Sequence, residues 1–217
     1  MRFDEAVIAL LSHHPQLDRL QSRGMSNQKQ PELYLSVDIE ADGPIPGPHS
    51  MLSLGAVAYT TEGECLGEFS VNLETLPGSA AHPAMTDWWQ QFPDAWQACR
   101  KDLQSPQEAM TAFADWVERL PGLPIFVAWP ATWDFMWVYW YLIHFTGRRP
   151  FSEHGIDMRS YAMGMRRKPF GKSGKNYLPK RWLSARPHSH IALDDAREQG
   201  ELFINMLKEN AAKTVGS

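Results

Sequence analysis

The chain has 217 residues, 43% of them hydrophobic and 21% charged, with a formal net charge of -4. Such proportions belong to a globular domain rather than a disordered tail, and the length fits one domain with a core large enough for stability. A negative total excludes a protein that coats nucleic acid with its whole surface. The two cysteines, Cys65 and Cys99, make neither a disulfide framework nor a zinc site and point to a reduced, cytoplasmic compartment.

The first residues, MRFDEAVIALLSHHPQ, contain an acidic pair and only a short apolar run, unlike a signal peptide. Residues 1 to about 22 read as an amphipathic helix and Gln21 to Pro31 as a polar linker, so a segment at 1–31 precedes a main domain at 32–211. Strands are expected at Leu33–Glu40, Met51–Thr60 and Glu64–Leu73, the last two joined as a hairpin by Thr61-Glu62-Gly63. The Pro- and Trp-rich stretch HPAMTDWWQQFPDAWQACR follows. Its Trp88, Trp89 and Trp96 read chiefly as packing residues, with base stacking as the alternative. Ser105-Pro106 opens a helix to about Leu120.

Phe126 to Phe145 is long and apolar enough to suggest a membrane span, but Pro130 interrupts it and Asp134 would be costly in lipid. A buried strand, Pro124–Trp129, and a buried helix, Thr132–Phe145, stopped by Gly147, explain it better, and no membrane partner is expected. A short strand at Gly155–Arg159, a short helix at Asn176–Leu183 and a last helix within His190–Asn210 complete the chain. Hairpin first, strand–helix alternation later: this order predicts an α/β fold with a mixed sheet flanked by helices.

Charge is unevenly spread. No acid lies between Asp157 and Asp194, an interval that holds nine of the 21 Lys and Arg. It reads either as a basic patch beside an acidic site or as a solvated loop. Within it, GKSGKN fails the P-loop pattern in both registers and reads as a basic, flexible loop whose Lys172 and Lys175 can reach phosphates. His188 and His190 suggest zinc, but no cysteine or third histidine stands at ligand spacing.

The informative residues are acids in apolar company. LYLSVDIEADG ends a strand-like run in Asp38, Glu40 and Asp42. Strand alternation puts Asp38 and Glu40 on one face, where they repel unless solvated or bridged by a cation. Asp42 stays unexplained by the sequence, a solvated turn residue before Gly43 being one reading. In HIALDDAREQGELFINML, Ala192, Ala196, Gln199, Phe203 and Met206 form an inward helical stripe; Asp195 lies on it and Asp194 is rotated about 100° away. Asp195 is costly there unless paired, hydrogen-bonded or metal-bound, with a first-turn acid favoured by the helix dipole as the alternative. Asp134 opens an apolar helix, but Thr132 is an equally good cap, so Asp134 needs another role. His190 belongs in the loop before the last helix, where a neutral imidazole can take a proton from water.

The motifs VDIEADG, AWPATWDF and HIALDDA, in that order, resemble the DEDDh 3′–5′ exonucleases, the group of ribonuclease T, oligoribonuclease and polymerase proofreading subunits. The resemblance covers about Leu33 to Leu207. It implies a ribonuclease H-like fold and an exonuclease acting on the 3′ ends of RNA or single-stranded DNA. It also implies two divalent ions, Mg2+ or Mn2+, held by Asp38, Glu40, Asp134 and Asp195, with His190 as general base. MLSLGAV, DWWQQ and IDMRS are similar to one bacterial and phage branch of that family. The chain departs from the family at Ala41-Asp42, where many relatives carry Thr, and at Trp129-Pro130, where many carry His-Asn. A catalytically inactive nucleic-acid-binding scaffold with the same fold is the alternative, and the oligomeric state stays open, a homodimer included.

Overall fold

A computed structural model describes residues 30–214; the helix expected up to residue 22 and nearly all of the linker lie outside the described residues. Five strands form one sheet in the order β3-β2-β1-β4-β5. They are β1 (Glu32–Ala41), β2 (Met51–Thr60), β3 (Cys65–Asn72), β4 (Leu123–Ala128) and β5 (Gly155–Asp157). The first three are antiparallel neighbours, whereas β4 and β5 run parallel to β1. The predicted hairpin is present, and Gly63, at φ +86°, supplies the left-handed residue its turn needs.

Two short helices, α1 (Pro83–Trp89) and α2 (Pro93–Cys99), occupy the Trp-rich stretch, for which the sequence reading specifies no element. Next comes α3 (Pro106–Glu118), which begins with a complete capping box between Ser105 and Glu108 and has Pro in its first turn. The apolar run divides as expected into β4 and α4 (Ala131–Thr146), which ends on Gly147 in the left-handed region. Among the described residues no helix is long and apolar enough to cross a membrane.

Three local expectations are corrected. Thr132 does not cap α4: the helix begins one residue earlier behind Pro130, and the N–H of Ala131 donates to Asp157 Oδ2 at 3.2 Å. The strand expected to reach Arg159 stops at Asp157, because Asp157 Oδ1 accepts from Ser160 N at 2.7 Å and so caps α5 (Met158–Arg166). In place of a helix at Asn176–Leu183 there are separate 3-10 turns at Lys175–Tyr177 and Lys180–Trp182, divided at Pro179, which has no N–H to continue a helix.

Side chains of β1 alternate between two apolar layers. Leu35, Val37, Ile39 and Ala41 pack with α3 and α4, while Tyr34 packs on the other face with Phe203 and Met206 of the last helix, α6 (Ala192–Thr214). By the same alternation Ser36, Asp38 and Glu40 face α6. That helix lies unusually close to the sheet. A Cβ on Gly55 of β2 would stand 2.3 Å from the Ala192 carbonyl carbon, and one on Gly200 would stand 2.5 Å from the Tyr59 ring. Ser36 Oγ closes the contact by donating to the Ala196 carbonyl at 2.8 Å.

Gly55→Ala should therefore push the start of α6 off the sheet and cost about 1–3 kcal/mol, the usual scale for overpacking a tight contact. Urea unfolding measures it; an unchanged midpoint would show that the helix has room to spare.

Candidate active site

β1 pairs with β4 only from Glu32 to Ser36, so the two parallel strands part near their carboxyl ends. Buried backbone groups beyond that point need other partners. Gln199 Nε2, from α6, donates to the Val37 carbonyl at 2.7 Å, and Ile39 N donates to Asp134 Oδ1, from α4, at 3.1 Å. The role that Asp134 needed in the sequence is thus partly structural: it holds the free edge of β1. Its second oxygen, Oδ2, is buried without a hydrogen-bond partner.

The structure brings all five predicted acid and histidine residues to this crevice. Glu40, Asp134 and Asp195 are buried, and Asp38 is half-buried. Carboxylate oxygens of Asp38, Glu40 and Asp195 lie within 4.8 Å of one another. Burial, then the charges of Asp134, Glu40 and Asp195, hold the Asp38 carboxyl well above its ordinary range, while Lys175 pulls it down. Glu40 is raised by burial and by Asp195 and Asp134. Burial pushes Asp134 up to about 8, against the opposing hydrogen bonds from the Ile39 N–H and its own backbone. Three acids that resist ionising side by side, with an orphaned oxygen among them, fit a site for cations of high charge. A donor set of carboxylate oxygens suits a hard divalent ion.

Asp195 behaves differently. Burial pushes its carboxyl up, but hydrogen bonds from His188, Ser189 and His190 and the charge of His188 outweigh burial, and the group stays below its usual value. Ser189 N reaches Oδ1 at 2.8 Å, and His190 N reaches Oδ2 at 2.9 Å. Asp195 thereby winds the preceding loop around itself, and His190 takes a left-handed conformation at φ +58°. The His190 ring packs against Trp88 and Phe92 at centroid distances of 4.8 and 4.2 Å. Burial, with help from His188 and against the pull of Asp195, holds its imidazole below the ordinary histidine value, a direction that favours the neutral ring.

Asp194 points elsewhere, paired with Arg197 at 2.6 Å. Asp42 is a correction: it is no solvated turn residue but is 4% exposed, with Oδ1 accepting from Ser50 N at 2.6 Å. Its backbone exchanges further bonds with Ser50 and His82, closing the loop that follows β1. Trp89 is a packing residue whose Nε1 donates to the Ala41 carbonyl at 3.1 Å. Trp88 and Phe92 are contacts of His190 that sequence reasoning missed. Only their place in the Trp-rich stretch hinted at them, because spacing does not say which ring meets a distant histidine.

The two predicted substrate lysines separate. Lys175 lies beside Asp38 and forms an ion pair with the nearly buried Glu198. Lys172 rests its ammonium over the Tyr177 ring at 4.8 Å. Elsewhere in the basic interval, Arg181 pairs with Glu209 and Arg186 with Glu201, so acids of α6 offset part of its charge.

No family model matches the chain. The 3′–5′ DNA exonuclease Cap18 of Escherichia coli is 30% identical over 184 residues, which cover 82% of this chain and 94% of that enzyme. Among solved structures, the nuclease domain of 3′hExo, a DEDDh family member bound to rAMP, superposes with a TM-score of 0.64 at 14% identity, covering 82% of this chain and 93% of that one. A 3′-exonuclease recognising the 3′ end of a histone mRNA stem-loop superposes with a TM-score of 0.62 at 13% identity, covering 84% of each chain. These matches establish the fold as the ribonuclease H-like mixed sheet expected from the motifs. Because the likeness to Cap18 runs along nearly that whole enzyme, the chain belongs to the DEDDh family and is a 3′–5′ exonuclease.

Proposed function

We propose that this exonuclease removes nucleotides from the 3′ ends of single-stranded nucleic acid, DNA in the first place, with two divalent ions, magnesium or manganese. One observation carries the proposal: carboxylates of β1 and α6, with Asp134 of α4 acting on the same Asp38, converge beside His190. DNA is preferred because the relative at 30% identity is named a DNA exonuclease. Family membership implies dependence on divalent metal ions. Asp38, Glu40 and Asp195 would hold one ion, and Asp38 with Asp134 would hold the other. When bound, the ions supply positive charge that lowers the cost of an attacking oxygen anion and a leaving 3′ oxygen.

The chain's own residues do the rest. A ring nitrogen of His190 accepts the proton of the attacking water, a role that needs the imidazole neutral before the step. The water oxygen bonds to phosphorus as the bond to the 3′ oxygen breaks, which releases a nucleoside 5′-monophosphate and leaves a new 3′ hydroxyl on the strand. Lys175 would contact a phosphate, with Lys172 on the same loop. The 1–31 segment and the 32–211 exonuclease domain remain the proposed division of the chain.

Matched 5′-labelled DNA and RNA strands test the reading directly. Stepwise shortening from the 3′ end, faster on DNA and stopped by excess chelator, is expected. Asp38→Ala and Asp195→Ala should each abolish it with the fold intact by circular dichroism, whereas Asp194→Ala should change little. Full activity in either of the first two, or in chelator, would sink the two-metal reading.

His190→Ala should slow turnover roughly a hundredfold or more, the usual scale for losing a general base. In the wild type the rate should fall as pH drops through the His190 titration. That limb should lie below the ordinary histidine value, because burial favours the neutral ring. Metal-bound water titrates in a similar range, so the comparison needs pH–rate profiles of both proteins at saturating metal. An unchanged rate with an unchanged acidic limb would assign proton removal elsewhere.

Replacing Lys172 and Lys175 together with Ala should raise the apparent substrate constant and flatten its dependence on salt, since fewer phosphate contacts release fewer counterions. Unaltered affinity and slope would leave the loop no part in binding.

A further inference from the structure

We infer that His188, His190 and Asp195 form a second cation site, suited to zinc rather than magnesium, and that an ion held there switches the exonuclease off. His188 has no part in the proposed reaction, yet its Nδ1 stands 3.1 Å from Asp195 Oδ2. One ligand atom from each of the three residues lies within 4.8 Å of the others, and the two imidazole rings are 4.5 Å apart between centroids. Ligands about 2.0–2.2 Å from a tetrahedral zinc ion stand roughly 3–3.5 Å from each other. The His188–Asp195 pair already has that spacing, and the His190 ring, within 4.8 Å of them through its own nitrogen, has to shift against Trp88 and Phe92 to complete the set.

The donor types separate this site from the neighbouring one. Two imidazoles and one carboxylate make the mixed nitrogen and oxygen set that zinc prefers, with a fourth position left for water. Asp38, Glu40 and Asp195 offer oxygen alone, which suits the harder magnesium or manganese. The site is open to a free ion, because the His188 side chain is 50% exposed. Its loop is already drawn around the carboxylate by the Ser189 and His190 amides. Neither a third histidine nor a cysteine completes the set; the third ligand is the carboxylate that the other site also uses.

That sharing produces the switch. An ion at the histidine site occupies the lone pair of His190 that would accept a proton, and it engages a carboxylate of the other group. The inhibitory half of the inference rests on the proposed role of His190, whereas the binding half does not.

The test therefore measures binding and inhibition separately, on the full chain in excess magnesium. Equilibrium dialysis with Zn2+ should show the ion bound by wild type and by Glu40→Gln. Affinity should fall about tenfold or more in His188→Ala and His188→Asn, since even partners one step removed from a metal have effects of that size. Co2+ should give the visible absorption of a four-coordinate ion in wild type and lose it in both His188 variants. Zinc inhibition, taken relative to each protein's own magnesium-supported rate, should weaken by the same factor as binding. Zinc held equally well by both His188 variants, or lost only in Glu40→Gln, would overturn the site. Zinc bound through His188 with the rate unchanged would overturn the switch and also count against His190 as proton acceptor.

Discussion

The N–H of Ile39 donates to Asp134 Oδ1, and the carbonyl of Val37 accepts from Gln199 Nε2, where β1 has run past its last pairing with β4. Without those two side chains the free edge of a central strand would be buried with unpaired backbone groups, each costing roughly a hydrogen bond's worth of free energy or more. Meeting that requirement brings α4 and α6 to the same end of β1 from its two sides. Asp134 arrives as part of the edge repair, and Asp195 lies one helical turn before Gln199. The crevice between parting parallel strands is also where α/β sheets generally bind ligands, beyond their carboxyl ends. Architecture and the proposed chemistry therefore meet at Asp134, whose Oδ1 holds the strand edge while its Oδ2 has no hydrogen-bond partner.

The seat of α6 supports this arrangement. Gly55 and Gly200 remove the two side chains that would hold the helix off β2 and β1, and Ser36 ties the sheet to the Ala196 carbonyl. The tight seat lets Asp195 stand within 4.8 Å of Asp38 and Glu40 instead of a side chain's width away. The cost is electrostatic. Asp38, Glu40 and Asp134 are pushed upward by burial, two of them by their neighbours' charges as well, and only Asp195 is relieved by local hydrogen-bond donors. Within the protein, Lys175 supplies a compensating charge at Asp38 while also pairing with Glu198.

Several parts of this were legible along the chain because they depend on local periodicity. Alternation in β1 placed Asp38 and Glu40 together, and helical spacing separated the inward Asp195 from Asp194, which pairs with Arg197. Glycines marked the hairpin turn and the end of α4, and Ser105-Pro106 marked a capped helix. Asp42 is not legible in the sequence for a physical reason. An acid beside glycine normally favours a solvated turn, and nothing local announces that Ser50, eight residues on, will bury it with a 2.6 Å hydrogen bond. Thr132 is no cap for a similar reason: the acceptor that takes a side-chain cap's place for Ala131 N–H is Asp157 Oδ2, on a different strand.

What the sequence alone determined was the set of reactive groups, their order and the face each would take on its own strand or helix, because those follow from residue type and backbone period. What only tertiary structure decided was which of these groups meet. The parting of β1 from β4, the aromatic contacts of Trp88 and Phe92 with His190, the approach of His188 to Asp195 and the split between Lys175 and Lys172 all join residues far apart in the chain or across a loop. Such contacts are chosen by close packing and by the need to satisfy buried polar groups, and both are properties of the assembled fold rather than of any single segment.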